Sequence, residues 1–274
     1  MKHLFDQLRY YAGVTATFSR LAIQRQLEYP LFLVSWIMGI PIQYFGGIWL
    51  LKVLVDTFQP LAGWGFPQIA FLYGLALLSH GLQVFLFIQT WQTEFYITEG
   101  QFDRMLVRPM NVFFQFCATY INFIGLIDLV PGIVIFAIGC KLTGFVWTAA
   151  STMKLVLVVA GGTLLRAGVY TILSSTAFWT MRSWPLISAG QMVFQRGSFY
   201  PITIYPQALQ LALTFVFPAA FISFYPACDL LGMNAHSALP LGFALWTPVV
   251  GVAVFALSQF VFNIGLSRYE SAGS

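Results

Sequence analysis

Along this chain, apolar runs of about twenty residues alternate with short polar stretches. A helix needs ~20 predominantly apolar residues to cross a bilayer. The pattern predicts spans over about Pro30–Leu51, Phe66–Gln89, Phe116–Cys140 and Leu155–Phe178, with a last one over Leu239–Leu266. Residues 1–29 carry a different period. Leu4, Leu8, Tyr11, Thr15, Phe18 and Ala22 share one helical stripe, while Lys2, Asp6, Arg9, Arg20 and Gln24 lie elsewhere on the wheel. That distribution suits an amphipathic helix lying on the membrane surface. Lys52, Asp56, Pro60 and Gly63-Trp64-Gly65 read as a loop between the first two spans, and Lys141, Thr143 and Gly144 as a tight turn.

The pattern is interrupted after Arg182. Two apolar segments there are short, and Pro185, Pro201, Pro206, Pro218 and Pro226 break the region. Irregular backbone at membrane depth is tolerated only where protein or water covers it. Two arrangements fit: a fifth span over Ser183–Tyr200 followed by a re-entrant helical hairpin, or a fifth span over Pro206–Tyr225 after a loop. Both give six crossings with the two ends on one side.

Composition settles the class. Only 8% of the 274 residues are charged and 59% are hydrophobic, against roughly 25% charged in soluble domains. Too few charges remain to cover a water-facing surface, so the expected fold is an all-α integral membrane protein of one domain. The net charge of +4 marks topology rather than nucleic-acid binding. Lys2, Arg9, Arg20, Arg25, Arg104, Arg108, Arg182 and Arg268 fall on the side of the two ends, with Lys52, Lys141 and Lys154 opposite. Excess Lys and Arg mark the cytoplasmic side, which predicts cytoplasmic termini. Arg196 distinguishes the two arrangements, being outside in the first and inside in the second.

Familiar chemistry is missing from the sequence. It has no G-x-x-x-x-G-K-[ST], H-E-x-x-H or G-x-S-x-G motif; His3, His80 and His236 are scattered, and Cys117, Cys140 and Cys228 are isolated. No catalytic residue, metal site or cofactor is expected in the chain itself. Two intramembrane charges remain, Asp128 in the third span and Arg166 in the fourth. Each lies about a dozen residues from the turn joining these spans, hence roughly 18 Å deep at 1.5 Å per residue. An unpaired charge at the bilayer centre costs ~2.5–3.5 kcal/mol on insertion scales, so the expectation is an ion pair across the hairpin.

The densest run of charge is Glu99-Gly100-Gln101-Phe102-Asp103-Arg104-Met105-Leu106-Val107-Arg108-Pro109, in the loop 91–115 between the second and third spans. It is too short to be a domain and too charged to be core. Gly100 permits a sharp entry and Pro109 ends or redirects a short helix. Phe102 and Leu106, four apart, predict an apolar face for a partner groove, with Asp103, Arg104 and Arg108 setting register by charge.

Together these features resemble the permease subunit of type-2 ATP-binding-cassette exporters. More narrowly, the chain resembles a bacterial branch with a Glu-Gly-x-Phe-Asp-x-x-Leu-x-Arg-Pro loop. A second block, Tyr200-Pro201, Tyr205-Pro206, Pro218-Ala219-Ala220-Phe221, Tyr225-Pro226-Ala227 and Leu230-Leu231-Gly232, matches as well. The resemblance implies a multi-pass protein of the bacterial inner membrane. It implies a translocation path built with a second permease, identical or sister, and two copies of a cassette ATPase that bind the ATP and Mg. The ATPase would dock on the loop around residues 94–109, acting as a coupling helix. The resemblance also favours a re-entrant region over 197–235, containing Pro201, Pro206, Pro218 and Pro226. The alternatives are an intramembrane lipid-processing enzyme, which would gather ionisable residues at one interface, and a secondary transporter, which favours inverted repeats.

Overall fold

The computed structural model describes residues 2–58, 60–123, 125–233 and 246–270, and their side chains apart from those of residues 2–10, 12 and 58. Helices α1 (Lys2–Leu27) and α2 (Pro30–Phe58) are followed by α3 (Phe66–Phe87). A polar connection holds the short helices α4 (Thr93–Thr98), α5 (Phe102–Leu106) and α6 (Val112–Thr119). Then come α7 (Gly125–Thr143), α8 (Ala149–Ser175), α9 (Ala177–Thr180) and α10 (Trp184–Ser198). Short α11 (Gln207–Leu211) and α12 (Phe224–Leu230) precede α13 (Trp246–Ser267). Five helical segments are long and apolar enough to cross a membrane, or six if the bent pair Gln207–Val216 and Ala219–Leu230 is one span. The chain is an all-α integral membrane protein.

Glycine decides which of these helices touch. Without water between them, membrane helices associate by close packing, and small residues let backbones approach. Gly74 and Gly81 on α3 and Gly125, Gly132 and Gly139 on α7 recur every seven residues, which keeps each set on one helical face. The two sets interleave in antiparallel register. A Cβ on Gly74 would stand 2.5 Å from the Cα of Phe136, and one on Gly139 would stand 2.4 Å from the nitrogen of Phe71. On the other side of the bundle, Gly161 of α8 meets Gly251 of α13, where an added Cβ would fall 2.2 Å from the Gly161 carbonyl oxygen. The result is a row in which α3 packs against both α7 and α8, and α13 packs on α8.

The bundle has two ends. At the near face, α1, α4, α5, α6 and α9 gather over a cluster built on Tyr96, Ile97, Phe102, Phe113, Phe116, Phe178 and Phe262. The stripe Tyr11, Thr15, Phe18 and Ala22 of α1 is the less exposed side of that helix. Tyr11 meets Phe114 of α6 edge-on at 4.9 Å. At the far face, Trp64 is fully buried against Phe224, 5.5 Å between rings. Outward-facing Leu31, Met38, Ile42 and Trp49 leave much of α2 apolar and exposed, as a lipid-facing helix should be.

Several boundaries differ from expectation. The third span is not continuous from Phe116: α6 ends at Thr119 and α7 begins at Gly125. Asn122 is drawn out of the helical ladder, its N–H donating to the Phe85 carbonyl at 3.0 Å and its side-chain oxygen accepting from Gln26 at 3.4 Å. Lys52 and Asp56 are not in a loop but in the last two turns of α2, paired four residues apart. Residues 239–245, expected to open the last span, lie outside the described residues, as does His236.

Beyond α10 the chain doubles back along it. Leu213 packs on Gly197, and Phe217 reaches Phe194 at 4.6 Å. It then returns to the far face, where the Asp229 carboxylate pairs with Lys154 of α8 at 3.1 Å. The two arms are bent by 78°. Pro218, between them, caps the turn Ala219–Phe221, Pro206 opens α11, and Pro201 precedes a turn over Ile202–Ile204. Pro226 is buried in the first turn of α12.

Candidate functional site: an intramembrane cavity and a near-face elbow

A cavity of about 550 Å³ opens between α2, α3, α4, α8 and α10. Its aromatic wall includes Phe32, Trp36, Trp91, Phe95 and Phe199. Its polar groups are unusually many for the middle of a membrane protein: Gln43, Gln89, Gln92, Gln191, Gln195, Asn122, His80, Asp128 and Arg166. A second cavity of about 500 Å³ lies on its far side, bordered by Tyr73, Arg196, Tyr200 and Tyr205. Gln43, Tyr44, Gln195 and Phe199 belong to both. Tyr44 and Phe199 stand edge to face at 6.2 Å, forming the partition.

Asp128 and Arg166 border the same cavity but do not pair with each other. The ion pairs among the described residues are Lys52–Asp56 and Lys154–Asp229. The expectation assumed that consecutive spans are neighbours. Here α3 is packed against both α7 and α8, so the two charges approach the cavity from different sides. Asp128 instead sits beside the Tyr44 hydroxyl. The Arg166 guanidinium lies over the Phe194 ring at 4.8 Å and near Phe199 at 6.0 Å, with Tyr170 beside it. Cation–π contacts stabilise a desolvated cation by ~2 kcal/mol, which offsets much of the ~2.5–3.5 kcal/mol a central charge costs. The guanidinium's hydrogen bonds are a separate matter. Its Nε and Nη2 are buried and have no partner among the described residues.

The near-face elbow, α4 through Asn111, is anchored from within. Gly100 adopts φ +64°, a left-handed turn that costs glycine little, and it swings α5 under α4. Phe102 is fully buried, ringed by Tyr96, Phe116, Phe178, Phe262 and Tyr269 at 5.3–6.1 Å. This corrects the expectation that Phe102 offers a face to a partner. In a helix of five residues Leu106 is the last, carried beyond the edge of the cluster, so Phe102 points in while Leu106 and Val107 point out. Val107 is 83% exposed. Met105 supplies the second inward anchor, and the Gln115 amide donates to the Met105 and Met110 carbonyls. Asn111 then caps α6 by accepting from Phe114 N–H at 2.9 Å. Glu99, Arg104, Arg108 and Pro109 are exposed and Asp103 is half-buried.

Glu94 connects the elbow to the cavity, a role that no sequence motif marks. One of its carboxylate oxygens accepts from the backbone N–H groups of Ser183 and Trp184, at 2.6 and 2.8 Å. These open α10, which carries Gln191, Gln195 and Phe199 into the cavity wall. Ser183 occupies the usual capping position, yet its own side chain makes no cap. An acid at a helix N-terminus satisfies free donors and complements the helix dipole.

A family model described as "ABC-2 family transporter protein" matches residues 41–273. No curated protein and no solved structure matches the chain.

Proposed function

The chain belongs to the ABC-2 family of transporter proteins, the membrane component that works with an ATPase subunit, and we propose that it is an exporter permease whose near face is cytoplasmic. In this reading two ATPase copies dock on the elbow around residues 94–109, and a second permease completes the path. The ATP and Mg belong to the ATPase. The membrane is the bacterial inner membrane, with both termini on its cytoplasmic side. The two cavities, divided by Tyr44 and Phe199, are this subunit's share of the path; α10, although only 15 residues long, makes the sixth crossing, and the hairpin Gln207–Leu230 is the re-entrant element at the outer side.

One observation carries the docking assignment: the elbow is fixed to the core by Phe102 and Met105 while Arg104, Leu106, Val107 and Arg108 face outward. A rigidly rooted strip with apolar centre and basic rim is what a charge-steered partner groove needs. Force applied there reaches the cavity through Glu94 and α10. Copurification tests the assignment. Tagged permease should retain a cassette ATPase, and Arg104→Glu with Arg108→Glu should release it without altering the permease's own melting temperature. Retention of the ATPase by that double variant would remove the elbow from the interface.

A further inference from the structure

We infer that the larger cavity binds an amphipathic anion, with a carboxylate, phosphate or sulfonate head on Arg166 and an apolar or aromatic body along the Trp36 and Phe95 wall. The inference rests on the permease reading and gives its cargo a chemical class. The Nε and Nη2 hydrogens of arginine point in parallel and form a fork that fits two oxygens of one acid. In Arg166 both of these nitrogens lack a partner among the described residues, in a side chain that is 1% exposed and borders the cavity. The one acid in the same wall, Asp128, forms no ion pair with it. A second buried donor, Trp91 Nε1, is also without a partner and lines the same cavity. Donors left open in a protein that satisfies most buried polar groups call for acceptors from outside the chain. The glutamines around them can turn either end of their amides to the ligand, and the aromatic wall suits a flat or aliphatic body.

The test uses the purified full-length chain in phosphatidylcholine nanodiscs, without an ATPase. Three probes of matched size are titrated by energy transfer from tryptophan: pyrenebutyrate, pyrenebutanol and a pyrenebutyl trimethylammonium salt. Pyrenebutyrate should bind about tenfold tighter than the alcohol, as charge-assisted hydrogen bonds to a buried arginine imply, with the cation weakest. Arg166→Met should erase the preference for the acid, and Arg166→Lys, which keeps charge but not the fork, should restore part of it. Asp128→Asn should strengthen acid binding. Equal binding of all three probes by the unmodified protein would overturn the inference even if the Arg166 variants fail to fold. So would an unchanged acid preference in folded Arg166→Met. Adding phosphatidic acid to the nanodisc separates the two sources of such a head. Competition with pyrenebutyrate identifies a lipid and its absence a soluble amphiphile, and either result upholds the anion site. Because no ATPase is present, a negative result here leaves the docking of the ATPase on the elbow untouched.

Discussion

Removing the Glu94 carboxylate should loosen one end of α10 and leave the bundle intact. Two backbone donors, Ser183 and Trp184, share a single oxygen of Glu94 at 2.6 and 2.8 Å. Hydrogen bonds to a charged group contribute ≈1.5–3 kcal/mol each. Here they share one acceptor, and Glu94 is only half-buried, so the pair together is worth about 2 kcal/mol, including the dipole contribution. Glu94→Gln keeps an acceptor without the charge and should lose about half of that. Local opening of the first turn of α10 then becomes roughly 30-fold more frequent in Glu94→Ala, at 1.4 kcal/mol per decade. Hydrogen exchange of the purified protein reads this directly. Amides of residues 183, 184 and 186–188 should exchange faster by that factor in Glu94→Ala and by about fivefold in Glu94→Gln, while those of α3 and α7 keep wild-type rates. Unchanged exchange at 183–188 would show that the carboxylate does not hold α10, and the link from elbow to cavity would fail with it.

Three further outcomes follow from the packing. Gly139→Ala places a methyl 2.4 Å from the Phe71 nitrogen and should cost about 1–3 kcal/mol by overpacking, lowering the melting temperature. Gly39→Ala, with open space around it, should not; equal melting of both would deny the close approach of α3 and α7. Exchanging Asp128 and Arg166 for one another should not rescue the single variants, since the two form no ion pair, and a double-mutant cycle on melting should fall well short of the ~3–5 kcal/mol that breaking a buried pair costs. Lys154 and Asp229 do touch, but both are partly solvated, so their cycle should give at most about 1 kcal/mol, with the charge-swapped protein regaining what either reversal alone loses.

The spans were legible because the bilayer imposes one length and one composition on them. The break at Tyr120–Phe123 was not, since it arises from Asn122 bonding to Phe85 and Gln26, partners far away in sequence. Adjacency was the harder question. Consecutive spans were assumed to be neighbours, which paired Asp128 with Arg166; the heptad glycines of α3 and α7 mark faces able to pack closely, but Gly39 and Gly46, Gly161 and Gly168, and Gly190 and Gly197 share that spacing, so the pairing is fixed only by the contacts themselves. Around the elbow, the spacing of Phe102 and Leu106 gave a shared face but not its direction, which depends on where a five-residue helix stops. Polar residues at helical spacing, Gln89 with Gln92 and Gln191 with Gln195, pointed to the cavity and could have been read from the sequence. Nothing local could have singled out Glu94, since the α10 N-terminus it caps lies about ninety residues away.

The docking of an ATPase on the elbow is tested most directly by a photo-crosslinking amino acid placed at Val107, with Val146 as the control. Val107 is 83% exposed on the near face and Val146 is 70% exposed at the far turn. In the assembled transporter, light should join Val107 to the ATPase subunit and leave Val146 unjoined to it. A complex that hydrolyses ATP and transports yet gives no adduct from Val107, or gives one from Val146, would contradict the assignment of the elbow as the ATPase seat.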